Sequence, residues 1–188
     1  MDVNFLKEIL KEEMPSKRIK ENETQIFKMI PELNVCKDFN QNNIWHVYDV
    51  YEHILHVIDN VPNNINLRMA ALFHDVGKPF VYHEDKDGIG HFYGHWEKSK
   101  EIFETFFSKN QINDLDQKIV SNLILYHDVN IGKLNEIDLD KMINLLGKEG
   151  ILMLFELKKS DLLAQNPKFH YILDDYEQAK QKILNKTR

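Results

Sequence analysis

Apolar residues recur at intervals of three and four along most of the chain, the signature of helices that bury one face. That spacing predicts helices over about 2–13, 16–30, 45–60, 65–75, 95–108, 112–127, 139–147, 149–165 and 168–185. The pattern breaks at "VPNN" (61–64), "GKPF" (77–80), "HEDKDGIG" (83–90) and "NIGKLNE" (130–136), all turn-forming stretches. The longest piece without helical period, about 79–94, is expected to be an irregular loop or a short hairpin. No repeat, low-complexity tract or long linker interrupts the series. The expectation is one all-α domain over 1–188, with a core at about 44–165, an N-terminal helical extension over 1–43 and a helix at about 168–185.

Composition sharpens this picture in a few respects. Seven glycines and five prolines in 188 residues are few, which favours helices over a turn-rich β fold. Hydrophobic residues make up 43% of the chain without a long uncharged apolar stretch, and the N-terminus is charged throughout with no signal-peptide core. The expected setting is therefore the cytoplasm, with no membrane contact. A net charge of −6 gives no global basic footprint for nucleic acid. The lone Cys36 excludes an internal disulfide and is expected to be a packed thiol.

Several polar residues sit where the pattern calls for apolar ones. Asp161 continues the stripe Leu154, Leu157, Ala164, and His127 continues Val120, Leu123, Ile124. His74 continues Leu67, Ala70, Ala71, with Asp75 directly after it, and His95 leads Ser99, Ile102, Phe106. On the segment 45–60 the apolar face is Val47, Val50, Tyr51, Ile54, Ile58 and Val61. His53 and His46 lie at its margin, whereas His56 and Asp49 turn towards solvent. Each uncompensated buried polar group costs about 1–3 kcal/mol, and a charge costs more. Separate local partners would satisfy them one by one, and a shared divalent metal would satisfy them together, since imidazole and carboxylate both suit such ions. Periodicity leaves both arrangements open.

The order His53, His74-Asp75, His95, His127, Asp161 resembles the HD-domain phosphohydrolase superfamily, with "HDVGK" similar to its His-Asp-Ile-Gly variant. The stretches "IPELNVCKDFNQNNIWHVYDVYEHIL", "ALFHDVGKP", "GHFYGHW" and "LILYHD" resemble the HD domain attached to bacterial CCA-adding tRNA nucleotidyltransferases, over about residues 29–165. The nucleotidyltransferase head has no counterpart here, so the resemblance implies a stand-alone HD domain. Trp96 stands where an acidic residue is usual, and Val76 replaces the commoner Ile.

The resemblance implies an all-α HD bundle holding divalent metal, with two ions from among Fe, Mn, Ni, Zn or Mg. Asp75 would bridge them, with His53, His74 and Asp161 completing one ion and His95 and His127 the other. It implies a metal-dependent phosphohydrolase, a mono- or diesterase for a nucleotide or related small phosphoester, working through a metal-activated hydroxide. Asp75, Lys78 and His91 are the expected catalytic residues. Lys78 would be the electrostatic partner of the nucleophile or of a phosphate oxygen. His91 would be a leaving-group acid, a phosphate contact or a support for the ligands, and His46 would line the cleft mouth. The alternative is a non-catalytic RNA-associated or regulatory HD module.

Other motifs carry less. Asp114/Asp116 and Asp138/Asp140 fall at expected helix starts and read as caps. "DKDGIG" mimics the start of a calcium-binding loop, but Ile89 and Trp96 occupy positions that need oxygen ligands. No phosphate-binding glycine loop surrounds a Gly-Lys pair. His56, His83 and His170 are expected at the surface.

Overall fold

The computed structural model describes residues 3–110, 112–131, 134 and 136–186. Eleven helices and one two-stranded hairpin are assigned among them. The order is α1 (Val3–Lys11), α2 (Pro15–Glu21), α3 (Glu23–Met29), α4 (Pro31–Cys36), α5 (Val50–Asn60), α6 (Ile65–Phe73) and α7 (Lys78–Val81). Then come β1 (His83–Glu84), β2 (Gly90–His91), α8 (His95–Asn110), α9 (Gln117–Tyr126), α10 (Glu136–Leu163) and α11 (Ile172–Lys186).

The centre is built by α5, α6, α9 and α10, with α8 laid against α9 and α6. Helices α1, α2 and α4 cover α5 and α6 from the other side, and α11 packs on α10. One apolar cluster runs through all of this, from Leu6 to Ile183. Among the described residues no helix is long and apolar enough to cross a membrane.

Local chemistry explains where the elements differ from the periodic pattern. The expected helix 16–30 divides at Asn22, whose side-chain amide donates to the Arg18 carbonyl and competes with the helix ladder. The expected helix 45–60 begins only at Val50. Its first five residues belong to an asparagine-rich loop in which Asn43 Oδ1 accepts from the backbone of Trp45 and His46. Asp49 then caps α5 by accepting from Glu52 N at 2.7 Å. Val47 is accordingly not on the buried face but 55% exposed.

The expected helix 112–127 begins at Gln117 behind an Asp116 cap, although Ile112 and Leu115 are buried and extend the apolar rhythm. Asp116 thus caps as expected, whereas Asp114 pairs with Lys7 at 2.7 Å, and Asp138 and Asp140 lie inside α10. The two expected helices 139–147 and 149–165 form one element broken at Gly147, whose φ of 67° suits glycine. Helix α11 starts later than expected because the 3₁₀ turn Pro167–Phe169 precedes it. The expected turn at 130–136 lies partly outside the described residues.

Between 79 and 94 the chain forms the hairpin, pairing His83 with His91 and Glu84 with Gly90. Its loop is the calcium-loop mimic: Asp85 Oδ1 accepts from Asp87 N and Ile89 N, an ordinary aspartate turn.

Candidate metal centre

Four helices deliver the histidines. His74 and His127 occupy the residue just past the end of α6 and α9, while His95 opens α8. In each, Nδ1 donates to the carbonyl three residues earlier: His74 to Ala71 at 2.8 Å, His95 to Phe92 at 2.9 Å and His127 to Ile124 at 2.7 Å. His53, on α5, directs Nδ1 towards Ala164 O at 3.4 Å. A carbonyl only accepts, so the hydrogen of the neutral ring resides on Nδ1 and Nε2 presents a lone pair.

All four Nε2 atoms converge on one carboxylate. Asp75 is 1% exposed; its Oδ2 lies 3.3 Å from both His53 and His74, and its Oδ1 lies 3.3 Å from His95 and 3.5 Å from His127. Asp161, on the second half of α10, places Oδ1 3.0 Å from His53 Nε2 and 4.0 Å from His74 Nε2. Within each pair the nitrogens nearly touch, His53 with His74 at 3.4 Å and His95 with His127 at 3.1 Å. The six residues His53, His74, Asp75, His95, His127 and Asp161 are therefore brought together.

The donor set fits divalent metal. Buried lone pairs facing one another at such distances repel unless a cation or proton lies between them. Among the described residues Asp75 Oδ1 has no hydrogen-bond partner although it is shielded from solvent. Two groups, His53-His74-Asp161 and Asp75-His95-His127, each bring three ligand atoms within 4.8 Å of one another. His46 joins His53 and Asp75 in a third such group.

The electrostatics show what a proton does there without an ion. Burial pulls the His53 imidazole down, but hydrogen bonds to Asp161 and Asp75 outweigh it and raise its pKa to about 9. Burial pushes Asp161 up, and His53 more than offsets this, holding the carboxyl well below its usual range. Asp75 is likewise held low against burial by His74 and Lys78. Burial, with its neighbouring histidines, lowers His127 and keeps it neutral. Without an ion, His53 therefore favours its protonated form, whereas His127 favours the form with a bare Nε2.

Lys78, one of the expected catalytic residues, lies beyond the end of α6. It opens α7, is 5% exposed, and places Nζ 2.6 Å from Asp75 Oδ2, 2.9 Å from Gln41 Oε1 and 3.3 Å from His46 Nε2. His46 donates from Nδ1 to Asn43, and burial together with Lys78 pulls its pKa well down. His91, on β2, faces the cleft with Nε2 held by Asp85 at 2.9 Å. His56 and His83 are exposed as expected, whereas His170 is half-buried with Nε2 shielded from solvent. Cys36 is packed, and burial pushes its thiol up.

The periodic reading overlooked two side chains in this neighbourhood. Gln41, 1% exposed, comes from the asparagine-rich loop and left no periodic signal. Lys158, 4% exposed, lies one turn before Asp161 on α10 and donates to His127 O at 2.5 Å. Its position four residues after Leu154 was the available signal, masked by the adjacent Lys159 in "ELKKSD". Burial pulls the Lys158 ammonium down, and Asp161 and Asp128 oppose that. The cluster lies against a cleft of about 420 Å³, whose wall includes Trp45, Lys78, His91, Tyr93, Lys158 and Tyr176.

A helical bundle carrying this ordered His/Asp set defines a class of metal-dependent phosphohydrolases. The chain belongs to the HD domain family, which matches residues 44–161. It is also similar to the A-adding tRNA nucleotidyltransferase of Deinococcus radiodurans, with 30% identity over 108 residues. That alignment covers 54% of this chain and 25% of the relative, so the chain spans about a quarter of that protein's length.

Proposed function

We propose that the protein is a metal-dependent phosphohydrolase acting on a nucleotide or related small phosphoester. The observation that carries the reading is the division of one buried carboxylate between two imidazole pairs, Asp75 Oδ2 facing His53 and His74 and Oδ1 facing His95 and His127. In this reading Asp75 belongs to two divalent ions, one completed by His53, His74 and Asp161 and the other by His95 and His127. Bound there, such ions supply Lewis acidity towards a phosphoryl oxygen and an ionised water near neutral pH.

The chain's own groups prepare that chemistry. The four Nδ1 hydrogen bonds fix the rings with Nε2 inward, so little reorganisation accompanies loading. Lys78 keeps Asp75 ionised, and Gln41 and His46 hold Lys78 in place. His91, oriented by Asp85, is positioned on the cleft wall to give a proton to the departing oxygen. Trp45, Tyr93 and Tyr176 provide aromatic surface beside the charged floor, which suits a base attached to a phosphate. A nucleotide partner also agrees with the name of the Deinococcus relative, and a cytoplasmic setting agrees with the lone buried thiol.

Protein loaded with Mn, Fe or Ni is expected to cleave at least one of a phosphomonoester, a cyclic nucleotide or a dinucleoside polyphosphate, and to lose that turnover on chelation. No turnover on the whole panel would contradict the reading. The second reading, an RNA-associated or regulatory module, draws on the tRNA-directed name of the same relative. It predicts salt-sensitive RNA binding unaffected by Asp75→Asn, and the chain's net charge of −6 weighs against it.

A further inference from the structure

Two buried lysines border the cleft, and they differ in what remains of their hydrogen-bonding capacity. An ammonium has three N–H donors. Lys78 has three acceptors for them, Asp75 Oδ2, Gln41 Oε1 and His46 Nε2. Lys158 has one, the His127 carbonyl, and it forms no ion pair with the described residues. The Tyr176 ring lies 5.4 Å from its Nζ to the centroid, and the carboxylates of Asp161 and Asp128 act on it without forming an ion pair.

A charge so placed is expensive. Taking an ammonium out of water costs several kcal/mol even after relaxation, and a single carbonyl bond does not restore its hydration. Helix α10 would bury a leucine at this position at no such cost, because Leu154 one turn earlier and Leu157 directly before it are fully buried. The lysine lines the same cleft as Asp75, His127 and Asp161, so a ligand entering that cleft meets the residue whose donors are not all used.

We propose that Lys158 is the anion-binding cation of this cleft, donating to a non-bridging oxygen of the substrate's phosphoryl group, while Lys78 is committed to Asp75. The inference rests on the phosphoester reading and gives Lys158 the phosphate contact that the resemblance offered as one of two roles for Lys78. It also gives α10 a double role, since Asp161 and Lys158 on successive turns present a metal ligand and a phosphate donor to the same space. A purely structural role for Lys158, bracing the His127 backbone through its carbonyl, separates experimentally from the phosphate role.

Inorganic phosphate is titrated calorimetrically into manganese-loaded wild type, Lys158→Met, Lys158→Gln and Lys158→Arg, with metal content measured on the same samples. The expected result is that phosphate affinity falls about ten- to hundredfold in Lys158→Met and Lys158→Gln, the worth of a hydrogen bond to a charged group. Lys158→Arg keeps most of the affinity, and bound metal stays at the wild-type level in all. Lys158→Gln retains a donor for His127 O, so it reports on charge even if Lys158→Met folds poorly. The proposal is overturned if the neutral variants bind phosphate like wild type, if wild type binds none, or if lost affinity merely follows lost metal. Absence of phosphoester turnover in wild type would reject the hydrolase reading separately, because phosphate binding is scored without turnover.

Discussion

His95 and His127 face each other Nε2 to Nε2 at 3.1 Å, with both Nδ1 atoms already bound to backbone carbonyls. With each Nδ1 hydrogen committed to a carbonyl, the two Nε2 lone pairs meet, and a cation or proton between them relieves the repulsion. His127→Ala is expected to remove the ion held by this half while leaving the His53-His74-Asp161 half loaded. Elemental analysis of the variant should show the bound metal falling to about half the wild-type content, the consequence of two ions divided by one carboxylate.

The other half carries the pH dependence. His53 is raised from 6.5 to about 9, so the metal-free protein holds a proton there at neutral pH that an ion must displace. Manganese affinity at this half should rise by up to about tenfold per pH unit between pH 7 and 9 and then level off. Calorimetry in buffers of different ionisation enthalpy should show close to one proton released per ion at pH 7.

The same shift acts oppositely on the empty protein. A group raised in the folded state stabilises fully below its unfolded pKa and loses that contribution as pH passes through its folded value. The His53 contribution should be complete below about pH 6.5 and fade through about pH 9. Urea unfolding of chelated protein should show this decline, and His53→Ala should flatten it. Adding manganese at about 1,000 times its dissociation constant should stabilise wild type by about 4 kcal/mol.

Lys78 and Asp75 form a buried pair at 2.6 Å, with side chains 6% and 2% exposed. Lys78→Met leaves the carboxylate without its nearest cation and should destabilise the metal-free protein by about 3–5 kcal/mol. An exposed lysine at this position would give almost no change in the same denaturation curve.

Gly77 joins the His-Asp turn to α8, donating from its N–H to Ser99 Oγ at 2.9 Å. A Cβ there would stand 2.6 Å from His95 O and 2.7 Å from Ser99 N, both backbone atoms that cannot swing aside. Gly77→Ala should therefore displace the start of α8, destabilise by about 1–3 kcal/mol and weaken metal at the His95-His127 half first. Thermal melting and metal content measure the two effects.

Much of this site was legible because helical periodicity exposes polar intruders. Asp161 stands out between Leu157 and Ala164, both buried, and His127 after Val120, Leu123 and Ile124. His53 was less visible. It reads as marginal on its own wheel but is fully buried because α6 and α10 both pack on α5. Of the loop contributions, His46 was expected at the cleft mouth, but its contact with Lys78 and the whole of Gln41 could not be read. Gln41 and His46 reach Lys78 from a segment whose shape depends on asparagine side chains and on Asn42 at a φ of 49°, which carry no period. Lys158 was hidden by its neighbour, since two consecutive lysines resemble a solvated face until one of them proves buried.

The central claim is that Asp75 organises divalent metal for phosphoester hydrolysis. Its most direct test is the manganese dependence of turnover, on a phosphoester panel, of chelator-stripped wild type beside Asp75→Asn. The account predicts turnover restored by manganese in wild type, with Asp75→Asn folded yet unable to retain metal and slower by at least about a thousandfold, in keeping with loss of a group shared by both ions. Equal turnover and equal metal content in the two proteins would contradict it.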